Sequence, residues 1–349
     1  MPSARVTSLA LRGMEQHFGR DGIDVLQVAQ HYGLPDDLWV SHEQTISLKQ
    51  FVRLLEGLGD LALLPDRTWQ AGLHYNIAEL GETGKLICSC KTLGDALLAL
   101  RDFFNLLQSD AYLSVQINEQ HTTVGYKILN TEIWPRRRDA EFTLGLVQGI
   151  VQRFVAPQSY PCSVILEDYS DASRLLSQTL HFPCHAGGDT NQFRFPTALL
   201  NTKQPISLAP AEHPTQSLRQ RLQQQLAQKH RTTPLTDRVR CCILRHLGNS
   251  DIDQAHIAQA LGMSERTLRR KLAEEGHAFQ EILDACRMQS AALNLEHSQL
   301  TQTEIALKTG FSEQSSFIRA FNKWFGETPT QYQRRIRSTM PSIHTTPSD

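Results

Sequence analysis

Residues 257–264, Ile-Ala-Gln-Ala-Leu-Gly-Met-Ser, recur 48 positions later as residues 305–312, Ile-Ala-Leu-Lys-Thr-Gly-Phe-Ser. Each copy reads as a short helix, a glycine able to take positive φ, an apolar anchor and a serine N-cap. A second helix follows each cap: ERTLRRKLAEEG in the first copy and EQSSFIRAFNKWFG in the second. Leu268 and Leu272 supply the core stripe of the first. Phe317 and Phe321 do so in the second, one residue later in register. This is the pattern of a helix-turn-helix, whose second helix enters the major groove of DNA.

The chemistry of the outer faces fits that pattern. With Leu268 and Leu272 inward, Arg266, Arg269 and Arg270 project the other way. Guanidinium groups there take guanine bidentately or clamp phosphate. On the second helix the outward set is Gln314, Ser315, Ile318 and Arg319. Glutamine pairs with adenine, and isoleucine meets a thymine methyl. The alternative is a plain helical bundle with a polar surface, and the repeated Gly and Ser weigh against it.

Segment 236–337 resembles the DNA-binding domain of AraC/XylS-type transcription regulators. The resemblance lies in IALKTGFSEQSSFIRAFNKWFGETPTQYQRR, with Gly310-Phe311, Phe317-x-Arg319-x-Phe321, Phe325-Gly326 and Thr328-Pro329-x-x-Tyr332. It implies an all-α domain with two helix-turn-helix units joined by a long helix, here about 279–296. It places base-contacting positions on Arg266, Arg269, Arg270, Gln314, Ser315 and Arg319. Gln333 stands where the family usually has an arginine after the tyrosine. The segment GETGKLICSCKTLGDALLALRDFFNLL, with RRRDAEFTLG and NQFRFPTALLNTKQPIS, is similar to the long "arabinose-binding"-type sensor domain of one AraC branch. That likeness implies an effector-sensing, dimerising module, with promoter DNA and RNA polymerase as partners.

Composition sets the frame. The 349 residues are 40% hydrophobic and 20% charged, a globular balance. No apolar run approaches the ~18 residues of a membrane helix, and the start MPSARVTSLALRGMEQHF lacks a signal-peptide apolar region. A soluble, cytoplasmic protein without membrane contact is expected. Seven scattered cysteines suit reduced thiols better than a disulfide framework. The net charge of −1 hides an asymmetry: residues 1–212 hold 17 Lys+Arg against 23 Asp+Glu, residues 213–340 hold 18 against 12. A basic end on an acidic body suits a polyanionic partner.

The N-terminal part reads as α+β with a small antiparallel sheet. Helical patterns cover 3–18, 22–32, 47–60 and 93–107, the last opened by Thr92. AYLSVQINEQHTTVGYKIL reads as a hairpin around Asn118-Glu119-Gln120. A helix at 139–155 starts from Asp139, then come a strand at 162–167, a helix at 171–180 and a strand near 193–195. Without βαβ alternation a doubly wound nucleotide fold is not expected. KQPISLAPAEHP marks a boundary, and Leu218, Leu222 and Leu226 form one stripe of a helix. That stripe belongs to a linker or to a partner-binding face. The expected divisions are a sensing and dimerisation domain 1–205, a linker 206–235, a DNA-binding domain 236–337 and a flexible tail 338–349.

No catalytic residue, cofactor or metal is expected. Gly57-x-Gly59-x-x-Ala62 follows a helical pattern, not a strand, and Gly81-Glu82-Thr83-Gly84-Lys85-Leu86 lacks parts of a phosphate loop. Cys88-x-Cys90 and His181-Phe-Pro-Cys184-His185 have no partner pair at zinc spacing. Neither G-x-S-x-G nor H-E-x-x-H occurs. Of 11 Trp and Tyr residues, 9 precede position 212, and polar-tipped aromatics suit a pocket for a small organic molecule. The candidates for effector contact are Trp69, Tyr112, Tyr126, Trp134, Arg138 and Glu141; a capped helix with an intrahelical ion pair is the plainer reading of the last two. The expectation is a sequence-specific DNA-binding regulator, an activator and homodimer, controlled by a small molecule. Two alternatives remain: a constitutive DNA-binding regulator whose N-terminal domain makes only protein contacts, and an enzyme with a DNA-binding appendage.

Overall fold

The structure, a computed structural model, describes residues 4–39, 44–156, 160–205, 215–248 and 252–339. The linker prolines at 210 and 214 and tail residues 340–349 lie outside these. The chain divides into two compact units, Met1–Thr232 and Thr233–Asp349. Among the described residues no helix is long and apolar enough to cross a membrane.

In the first unit, strand β1 (Arg5–Thr7) pairs antiparallel with β2 (Thr45–Ser47). Helices α1 (Met14–Phe18), α2 (Val25–His31), α3 (Leu48–Leu61), α4 (Arg67–Leu73), α5 (Gly81–Ser89) and α6 (Leu93–Leu107) lead to the main sheet. Its strands are β3 (Ala111–Ile117), β4 (His121–Ile128), β5 (Ser163–Ile165), β6 (Cys184–His185) and β7 (Asn191–Pro196), in the order β3-β4-β7-β5-β6. Helix α7 (Arg137–Gln152) lies between β4 and β5 in sequence, α8 (Ala172–Leu180) precedes β6, and α9 (Thr215–Thr232) closes the unit.

Local chemistry explains the elements that were expected. Thr92 accepts a hydrogen bond from the Asp95 amide at 3.2 Å, and the apolar face of α6 from Leu93 to Leu107 is buried. Asn118 Oδ1 accepts from the amides of Gln120 (3.0 Å) and His121 (2.7 Å), which closes the hairpin. Three expectations are corrected. Residues 3–18 form no single helix: β1 takes residues 5–7, Thr7 caps a 3₁₀ turn, and Gly13 at φ 76° resets the chain before α1. The main sheet is not wholly antiparallel, because β5 and β6 run parallel. Asp139 does not start the following helix: α7 has Arg136 as its N-cap, and Asp139 is buried within it.

Helix α7 is the centre of the unit, buried on nearly every face. It meets α4 through glycine. A Cβ on Gly72 would lie 2.0 Å from the Phe142 carbonyl oxygen, and one on Gly145 2.3 Å from that of Trp69. Helix α9 docks here too: Leu218 and Leu222 join this core, and Arg221 Nε donates to Glu82 on α5 at 2.6 Å. The leucine stripe is therefore used inside the chain.

The second unit, among its described residues, is helical throughout: α10 (Leu235–His246), α11 (Gln254–Ala260), α12 (Glu265–Glu274), α13 (Phe279–His297), α14 (Gln302–Lys308), α15 (Gln314–Phe325) and α16 (Pro329–Thr339). Phe317, Phe321, Leu295, Ile305 and Tyr332 form one buried cluster at its C-terminal end.

Candidate nucleic-acid interface

The two copies of the repeat build the same turn. In the first, Gly262 takes φ 69°, its amide donates to Gln259 O at 3.0 Å, and the Met263 amide donates to Ala258 O at 3.0 Å. In the second, Gly310 takes φ 78°, its amide donates to Leu307 O at 3.0 Å, and the Phe311 amide reaches Ala306 O at 2.9 Å. This pair of bonds is a Schellman closure, and its left-handed residue is why glycine stands there. Arg287 on α13 braces the second turn, donating to Gly310 O at 3.0 Å with its guanidinium 4.8 Å from the Phe311 ring centre.

The caps then differ. Ser264 accepts from the Thr267 amide at 3.2 Å and starts α12, as expected. Ser312 does not cap α15; Glu313 occupies the N-cap, without a side-chain bond. The helix begins one residue later, which is the physical reason for the register shift from Leu268/Leu272 to Phe317/Phe321. All four of these side chains are buried.

The outward residues fall where the periodicity puts them. Arg266, Arg269 and Arg270 are exposed on α12, and Gln314, Ser315 and Arg319 are exposed on α15. Arg270 is engaged in an exposed ion pair with Glu274 at 2.5 Å. Arg266 and Arg269 have no side-chain partner among the described residues. Gln314 accepts from Thr303 Oγ1 at 3.0 Å, Ser315 donates to Glu313 at 3.2 Å, and Arg319 donates to Ser316 Oγ at 3.0 Å. Ile318 is half-buried against the aromatic cluster. Gln333 turns inward, donating to Leu295 O at 3.4 Å.

The six effector candidates are not brought together around one opening. Trp69 is fully buried and donates to Gln148 at 2.6 Å. Tyr126 is buried, donates to Asp139, and accepts from Gln108 at 2.7 Å. Arg138 binds Glu141 at 3.0 Å, the Pro65 carbonyl at 2.9 Å and the Gly59 carbonyl at 3.1 Å. Glu141 is buried beside it, and Trp134 lies 5.4 Å from the Arg136 guanidinium. Tyr112 is half-buried on β3. Arg136, in the same run as Trp134 and Arg138, is 3% exposed and held by Glu167 at 2.6 and 3.0 Å, a partner that sequence reasoning missed. Polar-tipped aromatics look alike in a hydrogen-bonded core and in a pocket. All seven cysteines are free, and among the described residues no group of three His, Cys, Asp or Glu could hold a metal.

Burial pushes the Asp139 carboxyl up to about 7, against the opposing pull of Tyr126 and Arg136. Its folded value is raised, so its proton stabilises the fold fully below about pH 4, and that contribution is lost as pH rises towards 7. Asp139→Asn should therefore weaken the decline in stability from pH 5 to 7.5 by about 2 kcal/mol. Urea melts of both proteins at the two pH values check this; an unchanged decline would assign it to Glu56 and Glu141, whose carboxyls burial also pushes up.

Comparison with known proteins settles the family. Residues 22–204 match the model of the arabinose-binding domain of AraC transcription regulators, and residues 257–335 match a helix-turn-helix domain. The chain belongs to the AraC family of transcription regulators. An HTH-type transcriptional regulator of Mycobacterium tuberculosis is 26% identical over 79% of this chain and 81% of its own length. The regulator VirS of the same species is 23% identical over 89% and 91%. The ornithine utilization regulator of Pseudomonas aeruginosa is 42% identical over 100 residues, 28% of this chain and 29% of that one. AraC-family membership makes the chain a DNA-binding transcription regulator, and the proteins it resembles are regulators, not enzymes.

Proposed function

We propose that this AraC-family chain is an effector-controlled activator in which α12 and α15 both read promoter DNA. The observation that carries the reading is the duplicated Schellman turn, each copy followed by a helix with one buried and one polar face. The pairs α11/α12 and α14/α15 are the two helix-turn-helix units, and α13 joins them. Arg266, Arg269, Arg270, Gln314, Ser315 and Arg319 make the contacts with bases and phosphates. Arg266 and Arg269, which have no partner to give up, bind without breaking an ion pair.

Residues 1–205 sense a small molecule and form a homodimer, 206–235 connect, and 236–337 bind DNA next to RNA polymerase in the cytoplasm. Effector binding shifts the population between two presentations of the DNA-binding domain. The runner-up, a constitutive regulator whose N-terminal domain makes only protein contacts, predicts DNA binding indifferent to every metabolite.

Arg269→Ala should weaken binding to a selected duplex by about 1–3 kcal/mol and relax preference at one or two base pairs. Binding to variant duplexes checks this with the full chain. An equal loss on every sequence would place Arg269 on phosphate instead.

A further inference from the structure

The first unit carries a cleft that none of the sequence candidates lines. One part of it, about 220 Å³, lies between α1, α4 and the 3₁₀ turn Ile77–Glu79, with Arg12, His17, Arg20, His74 and Glu79 in its wall. At about 30 Å³ per water it has room for about seven waters, or a ligand of about ten non-hydrogen atoms. A second hollow adjoins it at Arg12, Gly13 and Glu79, and its wall includes Leu26, Leu38 and Trp39.

The charges of this wall are only partly engaged within the fold. Arg12 and Glu79 both act on the Tyr75 phenol, yet neither has an ion-pair partner among the described residues. Tyr75 itself is committed, donating to Leu9 O at 2.7 Å, and Glu79 accepts only from Asn76, at 3.0 Å. His17 Nε2 and Trp39 Nε1 are buried out of reach of solvent, so the charged groups this cavity presents are those of Arg12, Arg20 and Glu79. The His17 ring stacks on His74 with centroids 6.3 Å apart, and burial drops its pKa to about 4, so it is a neutral ring at physiological pH.

We infer that this cleft is the effector site and that it takes an α-amino acid, whose carboxylate lies against Arg12 and whose ammonium lies against Glu79. An unpaired cation and an unpaired carboxylate facing one small cavity complement a zwitterion, and a guanidinium fork matches a carboxylate in shape as well as charge. Arg20, exposed at the same wall, is placed for a side-chain carboxylate, so aspartate and glutamate lead the probes. The site is also well connected. The turn Ile77–Glu79 packs so closely on α5 that a Cβ at Gly84 would lie 1.9 Å from Ile77 O. Glu82 of α5 holds Arg221 and Gln225 of α9, the helix that ends where the second unit begins.

This inference rests on the effector reading above, and the test separates the two. The full chain is melted with each of the protein amino acids, with glutarate, which lacks the ammonium, and with γ-aminobutyrate, which lacks the α-carboxylate. At a hundredfold excess over Kd, one or more amino acids should raise Tm by about 5 °C or more. Arg12→Ala and Glu79→Gln, both at solvent-reached positions, should keep the unliganded Tm and weaken that ligand at least tenfold. The truncated analogues should bind at least tenfold more weakly to the parent. No shift with any amino acid, or a shift untouched by both substitutions, overturns the site. If another metabolite then shifts both Tm and DNA affinity, effector control stands without this cleft. If nothing in a broad metabolite panel moves either, the effector reading falls as well.

Discussion

Gly145→Val should lower the stability of the first unit by about 3 kcal/mol, the upper end of the overpacking range, and its Tm by about 10 °C. The Cβ would sit 2.3 Å from the Trp69 carbonyl oxygen and 3.1 Å from the Leu73 amide nitrogen, both backbone atoms of α4. Neither helix has room to retreat. A Cβ on Gly149 would lie 2.6 Å from Leu73 O further along the same seam, and Gly72 lines it from the α4 side. Separating α4 from α7 would also pull the Trp69 indole off Gln148, leaving two buried polar groups bare. Thermal melts of the full chain, followed by tryptophan fluorescence, check this. Three of the four tryptophans, Trp39, Trp69 and Trp134, report on the first unit. A Tm within 2 °C of the parent would show that the seam is looser than the helix spacing implies.

The same glycines mark where sequence reasoning stopped. Helices α3 and α6 and the 111–128 hairpin are legible because apolar spacing, a threonine cap and an Asx turn all agree with the final fold. Helices α4 and α5 are not. Each is short and carries glycine that lowers helix propensity, and the compensation is a close approach to α7 or to the Ile77 carbonyl that only the tertiary structure supplies. Strand β1 was hidden for a related reason: its partner β2 lies 40 residues away, and three residues hold no periodicity of their own.

The DNA-facing unit was more legible because the signal is written twice. Glycine, apolar anchor and polar helix recur at fixed spacing, and the one-residue slip in the core stripe already contained the later start of α15. The cleft of the first unit was illegible. Arg12, His17, Arg20 and Glu79 are ordinary surface residue types drawn from three elements, and only folding sets their charges around one cavity. Of the aromatic candidates, Trp69 and Tyr126 are hydrogen-bonded core.

The largest effect on DNA follows from α13. Its 19 residues span about 28 Å at 1.5 Å per residue. That is of the order of one turn of DNA, ~34 Å, so α12 and α15 can enter successive major-groove segments on one face. A single protomer should therefore select an asymmetric site of two boxes about 10 bp apart. If each box is held by at least two side-chain contacts, as proposed, losing one box should cost about 3 kcal/mol, a factor of about 100 in affinity. Ten inserted base pairs would restore the face and still lengthen the site beyond a helix that cannot stretch.

The decisive measurement is the affinity of the full chain for its selected duplex with 5 bp inserted between the two boxes of one protomer's site. Such an insertion carries the second box to the opposite face of the helix. With both α12 and α15 reading bases, affinity should drop about 100-fold, and a 10 bp insertion should not recover it. Unchanged affinity with either insertion would mean that one helix reads DNA alone and the other only supports the fold.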